Sequence, residues 1–151
     1  MTFNQTKDVL NQARKFHQRL SEFYEELEDS ADKEHTRALL NYMSRHEQYL
    51  DHCLLEFQKG VSKNILDAYF QYGSDATKLS EISEFKIKPN MEVEDVMKAA
   101  MHFGTCLIRF YREMAHHARG QSVCKVFENL LVMEEREQLE LSKTLLELGS
   151  V

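Results

Sequence analysis

The chain has 151 residues, of which 42 % are hydrophobic and 29 % charged, with five glycines and a single proline. That length suits one domain with a sizeable core, and so few breakers suit a helical protein. A formal charge of −6 with no run of lysine or arginine excludes a sequence-independent nucleic-acid surface and a basic face for anionic membranes.

The opening MTFNQTKDVLNQARKF has no apolar leader core, and no apolar stretch approaches a membrane span. Cys53, Cys106 and Cys124 are odd in number and irregularly spaced, which argues against a disulfide framework. A reducing cytoplasm is the expected setting.

In chain order, the spacing predicts a first helix near 5–28, with Val9, Leu10, Ala13, Phe16, Leu20, Phe23, Tyr24 and Leu27 on one face. Asp29-Ser30-Ala31 closes a hairpin to a second helix near 32–58, whose apolar line runs Leu39, Met43, Leu50, Cys53, Phe57. From Gln58 to Asn90 the chain is too long for a tight turn. Within it, Val61 to Tyr72 predicts a short helix ended by Gly73-Ser74. Its Tyr69, Phe70 and Tyr72 are placed to cover one side of the bundle, or to serve a dimer contact or a partner groove. Pro89-Asn90, followed by Glu92, Glu94 and Asp95, marks the start of a third helix near 91–118. Gly120 is a helix stop and Ser122 a cap for a fourth helix near 122–148, with Phe127, Leu130, Leu141, Leu145 and Leu148 inward.

The first and third helices repeat one another. LSEFYEEL at 20–27 returns as LIRFYREM at 107–114, and the match extends without a gap from Val9/Val96 to Leu27/Met114, an offset of 87. The second and fourth helices match at an offset of 88, with Leu39, Tyr42, Met43, Cys53 and Phe57 falling on Phe127, Leu130, Leu131, Leu141 and Leu145.

Two helical hairpins joined by one long crossover resemble the ferritin-like bundles. The Phe-Tyr pairs, together with Arg45-His46-Glu47-Gln48 and Glu134-Glu135-Arg136-Glu137-Gln138, are similar to the rubrerythrin branch of that superfamily. The resemblance implies an all-α, up-down four-helix fold over the whole chain apart from the crossover. It also implies a di-iron centre of one carboxylate from each of two helices and a Glu-x-x-His from each of the other two. Carboxylates suit that task because they neutralise and bridge hard cations, while imidazoles leave positions open for dioxygen.

The implied ligand set is not found. On the second helix His46 lies on the apolar line, and on the fourth Glu134 does. His46-x-x-Tyr49 then answers Glu134-x-x-Glu137, and neither is Glu-x-x-His. The carboxylate positions of the first and third helices, taken four residues before the Phe of each pair, hold Arg19 and Cys106. Arginine cannot ligate a metal. The expected centre is therefore a metal-free polar cluster of Arg19, His46, Tyr49, Cys106, Glu134 and Glu137, in which Arg19 replaces the metal's charge and pairs with Glu134 or Glu137.

Three functions of different classes follow. The first is a non-enzymatic scaffold or interaction protein, acting as a homodimer or with an unknown protein partner. The second is a mononuclear binder of iron, manganese or zinc using His46, Glu134 and Glu137. The third is a small-anion binder, with Arg19 and His46 facing the vacated centre. No catalytic residue is assigned. Nothing resembles a nucleophilic triad, a phosphate-cradling glycine loop or a dinucleotide fingerprint. Glu113-x-x-His116 has metal-ligand spacing but projects away from the core, where with His117 it complements a helix C-terminus. Cys124 sits near a helix start, where a lowered thiol pKa is expected.

Overall fold

The computed structural model describes residues 2–72 and 91–149. Gly73, Ser74, Pro89 and Asn90, expected to end and begin helices, lie outside them. In order come β1 (Thr2–Gln5), α1 (Thr6–Ser30), α2 (Glu34–Lys59), α3 (Lys63–Leu66), β2 (Tyr69–Tyr72), α4 (Val93–His117) and α5 (Gln121–Gly149). The architecture is all-α in its core, with each long helix within two residues of its expected bounds. Most packing falls within the hairpins α1–α2 and α4–α5, and α2 lies against α4.

The repeat extends to the helix starts. The backbone N–H of Gln5 donates to Asp8 Oδ2 at 3.1 Å, and that of Glu92 donates to Asp95 Oδ2 at 3.0 Å. Each aspartate satisfies an orphan donor and places negative charge at a positive helix end. Gly120 has φ of +90°, a backbone conformation that a side chain would resist, so glycine lets the chain reverse into α5. Helix α5 begins at Gln121, which leaves Ser122 inside the first turn rather than capping it.

Along the crossover the expectation is corrected. Among the described residues 61–72 only Lys63–Leu66 is helical, and Tyr69–Tyr72 pairs antiparallel with Thr2–Gln5. The apolar residues of 61–72 gave a helical pattern. Long-range bonds to the start of α1 prevail over it: Thr6 N–H and Oγ1 both reach the Ala68 carbonyl, at 2.9 and 3.2 Å, and Gln5 Nε2 donates to the Asp67 carbonyl at 3.1 Å. Tyr69 is exposed rather than packed over the bundle.

The core is one cluster drawn from all four long helices. At its centre the repeat meets itself, where Phe16 and its counterpart Phe103 stand edge to face with centroids 6.3 Å apart. Helices α2 and α5 run antiparallel, with His35 Nε2 bonded to the Leu148 carbonyl at 2.9 Å near one end.

Candidate functional site

Burial fixes the register of α2 against α5 at 87, one residue from the expected 88. Thr36, Leu39, Leu40, Met43, Glu47 and Leu54 are buried, and so are Val123, Val126, Phe127, Leu130, Glu134 and Leu141. A one-residue step turns a helix by about 100°. The inward residue of α2 is therefore Glu47, and His46 moves to the half-buried flank. The same offset now relates every part of the two hairpins. Glu47 answers Glu134, Leu50 answers Glu137, and Tyr24 answers Tyr111.

On α1 and α4 the correction is two residues. Arg19 is exposed, and the inward position is His17. Two residues turn a helix by about 200°, which is enough to exchange faces. On α4 the counterpart of His17 is Gly104. A Cβ there would meet the Gln138 amide, with Oε1 only 1.6 Å away, so glycine makes room for that side chain. Gln138 uses the room to donate from Nε2 to the Met101 carbonyl at 3.2 Å.

The buried polar centre thus consists of His17, Glu47 and Glu134, which are 2, 6 and 7 % exposed. His17 Nδ1 lies 2.5 Å from Glu47 Oε2, a charge-assisted contact inside the bundle. Burial alone would lower the pKa of His17. The Glu47 carboxylate, with Glu134 and Asp51 behind it, more than offsets this, and the pKa is raised. Glu134 is pushed up from 4.5 to about 7, by desolvation first; His17 pulls it down, and Glu47 and Glu137 push it up. His46 is lowered, mainly by burial, and so favours the neutral imidazole. Beside these groups, Tyr24 and Tyr111 are wholly buried, with hydroxyls that lack a hydrogen-bond partner among the described residues. Burial, then the nearby carboxylates, raises both phenols well above 10.

A small cavity among the four long helices joins His17, His46, Glu47, Glu134, Glu137 and Gln138, closed by Leu50, Phe16 and Phe103. Its volume open to a water's centre is about 10 Å3, the room of about one water. Of the sequence-predicted cluster, it brings together His46, Glu134 and Glu137. It does not include Arg19, Tyr49 or Cys106. Tyr49 is 53 % exposed, and Cys106 is buried elsewhere on α4, 3.8 Å from His102 Nε2. His17 and Glu47 were missed. The signal for Glu47 was present, because Glu47 and Glu134 stand apart by the 87 residues that already relate the Phe-Tyr pairs, whereas His17 has no such counterpart.

One peripheral expectation also changes. The thiol pKa of Cys124 is raised rather than lowered, because its Sγ donates to the Glu128 carboxylate at 2.9 Å. Glu113 pairs with His117 at 3.5 Å, on the outer face of α4.

A two-metal centre at a pseudo-twofold axis needs its donors repeated in both halves. Here Glu47 and Glu134 are repeated, but the counterpart of His17 is Gly104 and that of Glu137 is Leu50. One carboxylate is already taken by an imidazole. Among the described residues no group of three or more His, Cys, Asp and Glu is arranged to hold a metal ion. The residues present do not fit a di-iron site.

No helix among the described residues is long and apolar enough to cross a membrane. No protein-family model matches the chain. No curated protein matches it either. Among solved structures, it is similar to the crystal structure of a "putative ferritin-like diiron-carboxylate protein" from Thermotoga maritima. The two are 16 % identical, with a TM-score of 0.57, over 99 % of this chain and 97 % of that one. At that identity the likeness speaks for the fold. The chain has the ferritin-like four-helix fold.

Proposed function

We propose that this is a non-enzymatic, cytoplasmic ferritin-like protein that works as a scaffold through its surface, around a polar core that needs no metal. The observation that carries the reading is the broken symmetry of the donor set, with Gly104 and Leu50 standing opposite His17 and Glu137. The His17–Glu47 pair supports it further, because an internal ion pair supplies the compensation that a bound cation would otherwise give. Helix α5 exposes Val132, Leu139 and Leu146 at seven-residue intervals along one line. That exposed line favours action through the surface, as a homodimer or with another protein.

One observation favours a second reading, a single bound iron, manganese or zinc ion. His46, Glu134 and Glu137 line the same cavity. The third reading, a small anion, loses its cation, because Arg19 is exposed and three carboxylates face the cavity.

The test is elemental analysis of tag-free protein after separate incubation with iron, manganese and zinc and then desalting. Metal-free, folded protein that is indifferent to chelators is expected. Near-stoichiometric metal that disappears in Glu134→Ala would overturn the proposal in favour of the second reading.

A further inference from the structure

We infer that the cavity among the four long helices is a receptor for one protonated primary amino group, with Glu134 as its counter-ion. Glu134 is 7 % exposed and faces the cavity, yet no hydrogen bond or ion pair reaches its carboxylate among the described residues. A buried carboxylate without a partner is a costly arrangement, and a cationic ligand relieves it. The charges around it leave that place open. Glu47 is committed to His17 through Oε2, and His17 is the sole cationic group lining the cavity, while Glu137 adds a second carboxylate at the rim.

Size and valence select the ligand. The cavity has about 10 Å3 open to a water's centre, which admits one water-sized group. An ammonium head matches that size and brings three N–H donors. Glu134 supplies the acceptor, and Glu137 and the half-buried His46 line the same cavity. A guanidinium is too broad and a quaternary ammonium both too large and without donors. A metal ion would need a converging set of ligands, and the described residues hold no such set.

The stem of the amine would leave past the half-buried His46, which lines the cavity. There the Tyr42 and His46 rings are stacked, with centroids 6.1 Å apart, and Tyr49 is exposed. Such a shelf suits methylenes next to a positive charge. The amine can belong to a free small molecule or to a lysine side chain of a partner. The inference does not depend on the scaffold reading above, because metal loading tests that and amine binding tests this.

The experiment is calorimetric and thermal-shift titration with n-butylamine, tetramethylammonium and sodium chlorides at one ionic strength and pH. The expected result is saturable stabilisation by n-butylamine alone, lost in Glu134→Gln and weakened about tenfold in Glu137→Gln, the loss of one charge-assisted bond. Glu137 is half-buried at the rim, so that variant reports on the site even where Glu134→Gln folds poorly. A lysine-containing peptide that binds more tightly than n-butylamine identifies a protein side chain as the source, and weaker binding identifies a free amine. Equal responses to all three salts, or n-butylamine binding unchanged in both variants, would overturn the inference.

Discussion

The two hairpins share a backbone plan and differ in what they put inside it. Between α1 and α2, polar side chains interlock: His17 with Glu47, Arg14 Nε with Asp51 Oδ1 at 2.9 Å, and Ser21 Oγ with Ser44 Oγ at 3.0 Å. At the corresponding positions of α4 and α5 stand Gly104 with Glu134, Met101 with Gln138, and Ile108 with Leu131. The contact between Arg14 and Asp51 survives in altered form as the bond from Gln138 to the Met101 carbonyl. The helical frame therefore tolerates exchanging polar for apolar contents at one register. What fixes the frame is the repeated apolar line, while the polar contents decide what the centre can bind. One half is electrostatically closed on itself, and the other leaves Glu134 open.

The largest effect should come from breaking the closed half. His17→Leu strands the Glu47 carboxylate in the core, which should cost about 3–5 kcal/mol. Glu47→Leu added to it removes the stranded charge and should recover most of that loss, since replacing both members of a buried pair by apolar groups is often close to neutral. Urea unfolding of both variants at neutral pH is the measurement. Equal stability of the single and double variants would mean that the pair contributes nothing. Arg19→Leu is the control, and as an exposed substitution it should shift stability by no more than about 0.5 kcal/mol.

Next in size is a pH effect that belongs to the open half. The folded-state pKa of Glu134 is raised from 4.5 to about 7, so the folded protein holds a proton that the unfolded chain releases. Its contribution is complete below pH 4.5 and is lost as pH rises through about 7. That shift corresponds to roughly 3 kcal/mol. His17, also raised, has the same sign and loses its contribution above 6.5. His46, lowered, has the opposite sign: as pH falls below 6.5 the unfolded chain takes the proton first, and stability declines. Glu134→Gln isolates the one group. Wild type and variant should match near pH 5, and the variant should be the more stable at pH 8. A difference that does not change with pH would remove Glu134 as the titrating group.

How much of this could be read in advance depends on what each signal measures. Helix positions were legible because apolar residues recur every three or four places over some twenty-five residues, so an error at one position is outvoted. The repeat was legible for the same reason. The centre was not, because it rests on single residues. Choosing Arg19 over His17, or His46 over Glu47, is a decision about one or two steps on a helix, and each step is about 100°. On α2 the pattern is ambiguous locally: Leu39 and Leu40 are both buried, as are Met43 and Ser44, so two adjacent lines both face inward. Tyr69–Tyr72 was misread because its partner strand lies at the far N-terminal end, and pairing across that distance leaves no local trace.

The smallest effect sharpens the comparison most, because it concerns the place in the polar centre where the halves differ by the absence of a side chain. Gly104→Ala should gain about 1 kcal/mol in helix propensity. The new Cβ would lie 1.6 Å from Gln138 Oε1, so that amide must swing away and give up its bond to the Met101 carbonyl. A lost hydrogen bond of this kind costs about 1 kcal/mol, and the two should cancel. In a Gln138→Ala background there is no amide to displace, and Gly104→Ala should then stabilise by its full propensity. The double-mutant cycle should therefore show a coupling of about 1 kcal/mol between residues 104 and 138. If Gly104→Ala has the same effect in both backgrounds, the glycine is not there to admit Gln138. The amide fills at Gly104 the place that an imidazole fills at His17, so the coupling measures how firmly the second half is closed against a donor of its own.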